Sequence, residues 1–201
     1  MDGTLLDSKQ FHLKAWRLLL KKYNLQKSDA EILSHFGKTT EEIAKNIFPP
    51  HFDPKKLEIE KDNIFFSLIS EISPFQGVPE LLSRLKQKNY RICIASSNPK
   101  KTIQAICVNC NFEIDVVIGV EDVLHGKPAP DMILAAASQL NIPISECLAV
   151  GDTIYDIQAA KAAHCKVAAV LTGSQPLEIL KLENPDFILP SILHLEMLLE
   201  K

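Results

Sequence analysis

From about Pro74 onward, short apolar runs alternate with helical patterns, and this alternation constrains the fold more than any other feature. "YRICIASS", "DVVIGV", "ECLAVGD", "KVAAVLTG" and "DFILPS" are β-rich runs, apolar on both faces. Between them, "NPKKTIQAICVN", "PDMILAAASQLN" and "IYDIQAAKAAH" carry helical spacing, and "SILHLEMLLE" closes the chain as a helix. Strands of this kind, separated by helices, predict an α/β fold with a parallel sheet covered on both sides.

Residues 9–73 read differently. "KQFHLKAWRLLLKKYNL", "SDAEILSHF", "TTEEIAKNIF" and "PKKLEIEKDNIFFSLIS" are helical patterns with no convincing strand between them, and "FPPHFDP" is a breaker cluster between two of them. The segment is predicted to be an all-helical insertion, 9–73, in an α/β core formed by residues 1–8 and 74–201.

A chain of 201 residues suffices for one sizeable domain carrying such an insertion. The formal net charge of −3 gives no reason to expect nucleic acid or an anionic membrane as partner. No apolar run reaches the roughly 20 residues that span a bilayer, and the N-terminus lacks the pattern of a secretion signal. Five scattered cysteines, an odd number, suggest reduced thiols and a cytoplasmic location. Cys107 and Cys110 form a CxxC with no second ligand pair nearby, so a packing face of a helix competes with a redox role.

In open parallel sheets, ligands bind beyond the carboxyl ends of the strands. Ser96 and Ser97 end "RICIASS", Asp152 ends "CLAVGD" with Asp156 four residues on, Lys127 lies in the loop "HGKPAPD", and Asp2 opens the chain. Carboxylates are hard oxygen ligands for Mg²⁺. Lysine and hydroxyl groups hold phosphate oxygens, and backbone amides at the helix start after Ser96 add to them. The set reads as a site for a phosphate and a divalent cation.

"DGTLLDS", "ASSN", "GKPAPD" and "GDTIYD", in this order, resemble the four motifs of the haloacid dehalogenase-like phosphohydrolases. The helical insertion resembles the cap of their phosphoglycolate phosphatase and β-phosphoglucomutase branches. The resemblance covers nearly the whole chain; each motif alone is weak, and four in order are strong. It implies a Rossmann-like core with a helical cap and a Mg²⁺-dependent phosphatase acting on a small phosphorylated metabolite, a phosphoglycolate-like or sugar-phosphate-like monoester. In the family pattern one aspartate attacks phosphorus, forming an aspartyl-phosphate that water hydrolyses. A second aspartate, two residues later, protonates the leaving group and then activates water. By resemblance Asp2 is that second aspartate, and its backbone carbonyl is also a metal ligand. Ser96 binds the transferring phosphoryl group, with Ser97 adding a contact. Lys127 neutralises charge between phosphate and nucleophile. Asp152 binds Mg²⁺, and Asp156 supports the metal or its water. His12 matches a histidine that couples to the acid/base aspartate in the mutase branch, and Lys38, in "FGKTT", is a candidate specificity residue.

The nucleophile of the family belongs two residues before Asp2, and an apolar central strand normally precedes it. Neither is in the sequence, which is therefore expected to be truncated at its N-terminus. The alternative register, with Asp2 as nucleophile and Thr4 in second position, loses its match to the following Gly-Thr. Plainer roles stand beside these. Asp7 and Ser8 suit capping of the first helix, Ser96 suits capping of the helix after it, and Glu121 and Asp122 suit either metal support or a solvated loop. Trp16 and Phe11 suit packing inside the cap. Two rivals remain open: a catalytically inert module binding a phosphorylated ligand or a protein, and a phosphomutase of the same fold. Thr40, near the position of the mutase arginine, and Pro99 after "SSN" favour a hydrolase. A two-component receiver domain is set aside, because its acidic pair and acceptor come in a different order.

Overall fold

A computed structural model describes residues 1–199. Helices α1 (Lys9–Lys22), α2 (Asp29–Leu33), α3 (Thr40–Ile47) and α4 (Pro54–Ser67) follow the first turn of chain. α2, α3 and α4 each start at a side-chain cap. Ser28 accepts from the N–H of Glu31, Thr39 and Glu42 form a reciprocal capping box, and Asp53 caps α4 with Pro54 just inside. On α1, Leu13, Trp16, Leu19 and Leu20 share the buried stripe expected of helical spacing. They pack with Ile32, Ile43, Ile47 and Leu57 into a core belonging to these helices. Trp16 is fully enclosed there, and its truncation to alanine would cost roughly 3–5 kcal/mol.

The remainder alternates as expected: α5 (Val78–Gln87), β1 (Cys93–Ala95), α6 (Lys100–Asn109), β2 (Val116–Ile118), α7 (Asp131–Leu140), β3 (Leu148–Gly151), α8 (Ile154–Ala162), β4 (Lys166–Val170), α9 (Leu177–Leu182), β5 (Phe187–Leu189) and α10 (Glu196–Leu199). Among the described residues, every pairing between these named strands is parallel, with Cys93 opposite Val116, Leu148 opposite Lys166 and Ala168 opposite Phe187. At the C-terminus the single expected helix is instead a 3₁₀ turn, Ile192–His194, followed by the short α10; Glu200 lies outside the described residues.

The sheet is not continuous. β1 pairs only with β2, while β3, β4 and β5 form a separate three-stranded piece. Between the pieces lies an apolar cavity of about 300 Å³, bounded by Cys93 and Ile94 of β1, Leu148 and Val150 of β3, Leu85 of α5 and Leu140 of α7, with Met1 at its margin. β1 and β3 thus both border this cavity, and among the described residues no strand lies between them.

Among the described residues, no helix is long and apolar enough to cross a membrane. All five cysteines are free. Cys107 and Cys110 sit on or at the end of α6, Cys110 within the core and Cys107 packed against it. Burial pushes the Cys107 thiol up to about 11 and raises that of Cys110, which favours packing over thiolate chemistry.

Candidate active site

Four separated segments meet at a cavity of about 150 Å³ beyond the carboxyl ends of the strands: the first turn, the loop after β1, Lys127, and the start of α8. Ser96, Ser97, Asp152, Asp156, Lys127 and Asp2 all line it, and His12 and Lys38 face it from the helical segment. Glu121 and Asp122 do not line it. They brace α6 instead, accepting from the N–H of Lys100 at 2.9 Å and from its ammonium at 3.1 Å.

Asp2 is held from three directions. Ser8 donates its hydroxyl to Oδ1 at 2.5 Å, Asn98 donates its amide to Oδ2 at 2.7 Å, and His12 Nε2 lies 3.2 Å from Oδ1. Ser8 stands at the start of α1 but makes no side-chain capping bond, so the expected capping role gives way to a bond with the carboxylate. Burial opposes charge on Asp2, yet the His12 ring, the charge of the N-terminal amine and the Ser8 hydroxyl together outweigh it and hold the carboxyl well below its usual range. The side chain keeps 27% of its surface open, so a ligand in the cavity can reach it. His12 stacks on Phe65 with ring centroids 3.9 Å apart. Burial, then nearby Lys61, lowers its proton affinity, against the opposing pull of the Asp2 carboxylate.

Ser96 is 4% exposed, and its N–H donates to the carbonyl of Ile118, which fixes it at the end of β1. Its hydroxyl oxygen accepts from the Asn98 N–H at 3.3 Å and from the Asn98 amide at 3.1 Å. Asn98 thus ties the Ser96 hydroxyl to the Asp2 carboxylate. The helix begins only at Lys100, with Pro99 ahead of it, so Ser96 is not its cap.

Lys127 donates to Asp156 Oδ1 at 2.7 Å, with both side chains largely enclosed. Burial works against the ammonium, but Asp156, with Asp152 and Asp2 behind it, raises its affinity for the proton. Asp156 is equally committed: its Oδ2 accepts from the Thr153 N–H at 3.0 Å and the Thr153 hydroxyl at 2.6 Å. Burial opposes its charge too, and Lys127 overrides that, taking the carboxyl down to about 2.

Asp152 is the contrasting group. It is 7% exposed, and among the described residues its carboxylate accepts a hydrogen bond from the Thr4 hydroxyl at 3.1 Å. Burial and the neighbouring Asp156 push its carboxyl up to about 7. Backbone surrounds it closely: a Cβ on Gly173 would lie 1.9 Å from Asp152 Oδ2, and one on Gly3, at φ +68°, would lie 2.3 Å away. A buried carboxylate, repelled by a second one and cradled by glycine backbone, suits a hard cation as partner. Among the described residues, no three His, Cys, Asp or Glu side chains cluster to hold a metal by themselves. A cation here would take Asp152 together with backbone or added oxygens.

Sequence reasoning did not single out Lys61, although it lines the cavity from α4 at only 2% exposure. Nor did it find the loop after β4, where the Thr172 hydroxyl donates to the Gly3 carbonyl at 2.6 Å and Gly173 abuts Asp152.

The chain matches the family model of the haloacid dehalogenase-like hydrolases over residues 1–170. It belongs to that family. Fructose-1-phosphate phosphatase YqaB of Escherichia coli K12 is 30% identical, covering 81% of this chain and 89% of the relative. Pyrophosphatase PpaX of Listeria monocytogenes serotype 4a is 29% identical over 94% of this chain and 88% of the relative. Among solved structures, a hydrolase from Pseudomonas syringae superposes with a TM-score of 0.88 at 28% identity, covering 100% of this chain and 95% of the other.

Proposed function

We propose that the chain is a Mg²⁺-dependent cytoplasmic phosphatase that cleaves a small phosphorylated metabolite through an aspartyl-phosphate, beneath a helical cap formed by residues 9–73. The observation that carries this reading is the meeting of Asp2, Ser96, Lys127 and Asp152 around one cavity from four separate segments. Phosphatase and pyrophosphatase relatives support it. A cavity of about 150 Å³ falls below the roughly 300–1,000 Å³ typical of drug-sized ligands and suits a small substrate.

The residues divide the work. Ser96 donates its hydroxyl to a phosphoryl oxygen, with its lone pairs already engaged by Asn98. Lys127 supplies fixed positive charge at the same group, and Asp156 aims the ammonium. Asp152 and the backbone carbonyl of Asp2 would hold Mg²⁺, which, when bound, neutralises charge on the phosphoryl oxygens. Asp2 moves the proton. Its surroundings favour the ionised form; an incoming phosphate dianion raises its proton affinity, so that it takes up a proton from solvent as substrate binds, donates it to the leaving oxygen and then takes one from the attacking water.

The attacking carboxylate belongs two residues before Asp2. The slot between β1 and β3 supports its delivery by a central strand running parallel to both, whose carboxyl end reaches the cavity beside Met1. In the alternative register Thr4 would be the acid/base group, but its hydroxyl is spent on Asp152.

Labelled acetyl phosphate tests the mechanism. Protein carrying the residues encoded immediately upstream of Met1, quenched in acid during Mg²⁺-dependent turnover, should retain label that hydroxylamine removes. Turnover without any such label would mean direct attack by water and would overturn the aspartyl-phosphate.

A further inference from the structure

Lys61 is a buried cation at the cavity to which the reading above gives no task. Its ammonium lies 3.2 Å from Asp62 Oδ1, and Asp62 in turn accepts from the Thr40 hydroxyl at 3.3 Å. The rings of Phe65 and Trp16 stand 5.1 and 5.8 Å from the nitrogen and fix its position by cation–π contact. An ammonium has three donors. Asp62 takes one, and the other two have no protein acceptor among the described residues. Enclosing a cation with two donors idle is costly unless a ligand completes its shell.

The cap side of the cavity narrows what that ligand is. Trp16, Phe36 and Ile43 supply apolar wall. The Thr40 hydroxyl is committed to Asp62, and the His12 ring is committed to Asp2. A polyol leaving group would find little there beyond Lys38, whereas a compact anion would meet the fixed Lys61 ammonium with Lys38 on the same side.

We propose that Lys61 is a specificity-determining residue that receives an anionic group on the leaving part of the substrate, so that preferred substrates are small phosphoesters or anhydrides whose leaving group carries a carboxylate or a second phosphate. This deepens the phosphatase reading and rests on it. Ser96 and Lys127 hold the transferring phosphoryl at the strand ends, and Lys61 holds the far end from α4.

The test is titration calorimetry with Mg²⁺ present, using 2-phosphoglycolate and methyl phosphate, which differ by one carboxylate. The variant is Lys61→Met/Asp62→Asn, which removes both charges together and avoids stranding a buried carboxylate. The chain should bind 2-phosphoglycolate roughly ten- to hundredfold tighter than methyl phosphate, the worth of one charge-assisted hydrogen bond. The double variant should lose that preference while its affinity for methyl phosphate stays within about threefold. Lys61→Arg should keep a preference for the anion. Equal binding of the two ligands by the unaltered chain, or equal weakening of both in the double variant, would overturn the proposal. If neither ligand binds the unaltered chain, the phosphate-site reading falls and takes the proposal with it.

Discussion

Replacing Ser8 by alanine distinguishes a helix cap from a group that tunes the acid/base carboxylate. The hydroxyl donates to Asp2 Oδ1 at 2.5 Å and caps nothing. Hydrogen bonds to charged groups contribute roughly 1.5–3 kcal/mol, so the loss should raise the proton affinity of Asp2 by roughly ten- to hundredfold. Asn98 and His12 still hold the carboxylate, so the side chain should stay in place. Because the folded state lowers the Asp2 pKa, its ionised form stabilises the fold above the unfolded value of about 3.9, and that contribution is lost as pH falls. Ser8→Ala should therefore lower Tm at neutral pH by roughly 3–12 °C for a chain of this size, and the deficit should shrink in strong acid. Carbon-detected NMR titration of labelled aspartate reads Asp2 directly. A lower Tm with an unmoved Asp2 titration would mean that Ser8 serves only the helix, and would refute the argument.

Lys127→Met removes the cation from enclosed Asp156 and should cost about 3–5 kcal/mol in urea unfolding, besides abolishing calorimetric binding of inorganic phosphate. Asp152→Asn should do the opposite to stability. A carboxyl raised to about 7 is a burden once ionised, so without Mg²⁺ at about pH 8 the variant should gain roughly 2–4 kcal/mol, a gain that vanishes below about pH 4. The same variant should lose any Mg²⁺-induced rise in Tm, and in the unaltered chain Mg²⁺ affinity should climb as pH passes about 7, because the cation displaces a proton. Gly173→Ala places a methyl 1.9 Å from Asp152 Oδ2 and should likewise remove the Mg²⁺ effect, while far-ultraviolet circular dichroism stays unchanged.

Much of the architecture was legible in local pattern. Apolar runs such as "DVVIGV" and "KVAAVLTG" became β2 and β4 because a parallel strand covered on both faces admits little else. Thr39 and Glu42, and Thr153 and Asp156, opened helices as capping chemistry requires. Strand ends told where Ser96 and Asp152 would stand. What local pattern could not show is contact across long separations. Asn98 meets Asp2 across 96 positions, and Thr172 meets Gly3 across 169. Ser8 and Lys61 looked ordinary for a helix start and a helix face, and only tertiary packing turned one to Asp2 and enclosed the other. A C-terminal helix read from periodicity gave way to a 3₁₀ turn and four helical residues.

We propose that Asp2 is the acid/base group and that the nucleophile lies upstream, on a strand between β1 and β3. Steady-state hydrolysis of p-nitrophenyl phosphate with Mg²⁺ tests it most directly, comparing the chain that starts at Met1 with one extended by the codons immediately upstream in the gene. The expected result is an upstream apolar strand ending in aspartate two residues before Asp2, activity in the extended chain alone, and loss of that activity in its Asp2→Asn variant. Equal activity in the chain that starts at Met1 would make the upstream carboxylate unnecessary and contradict the account.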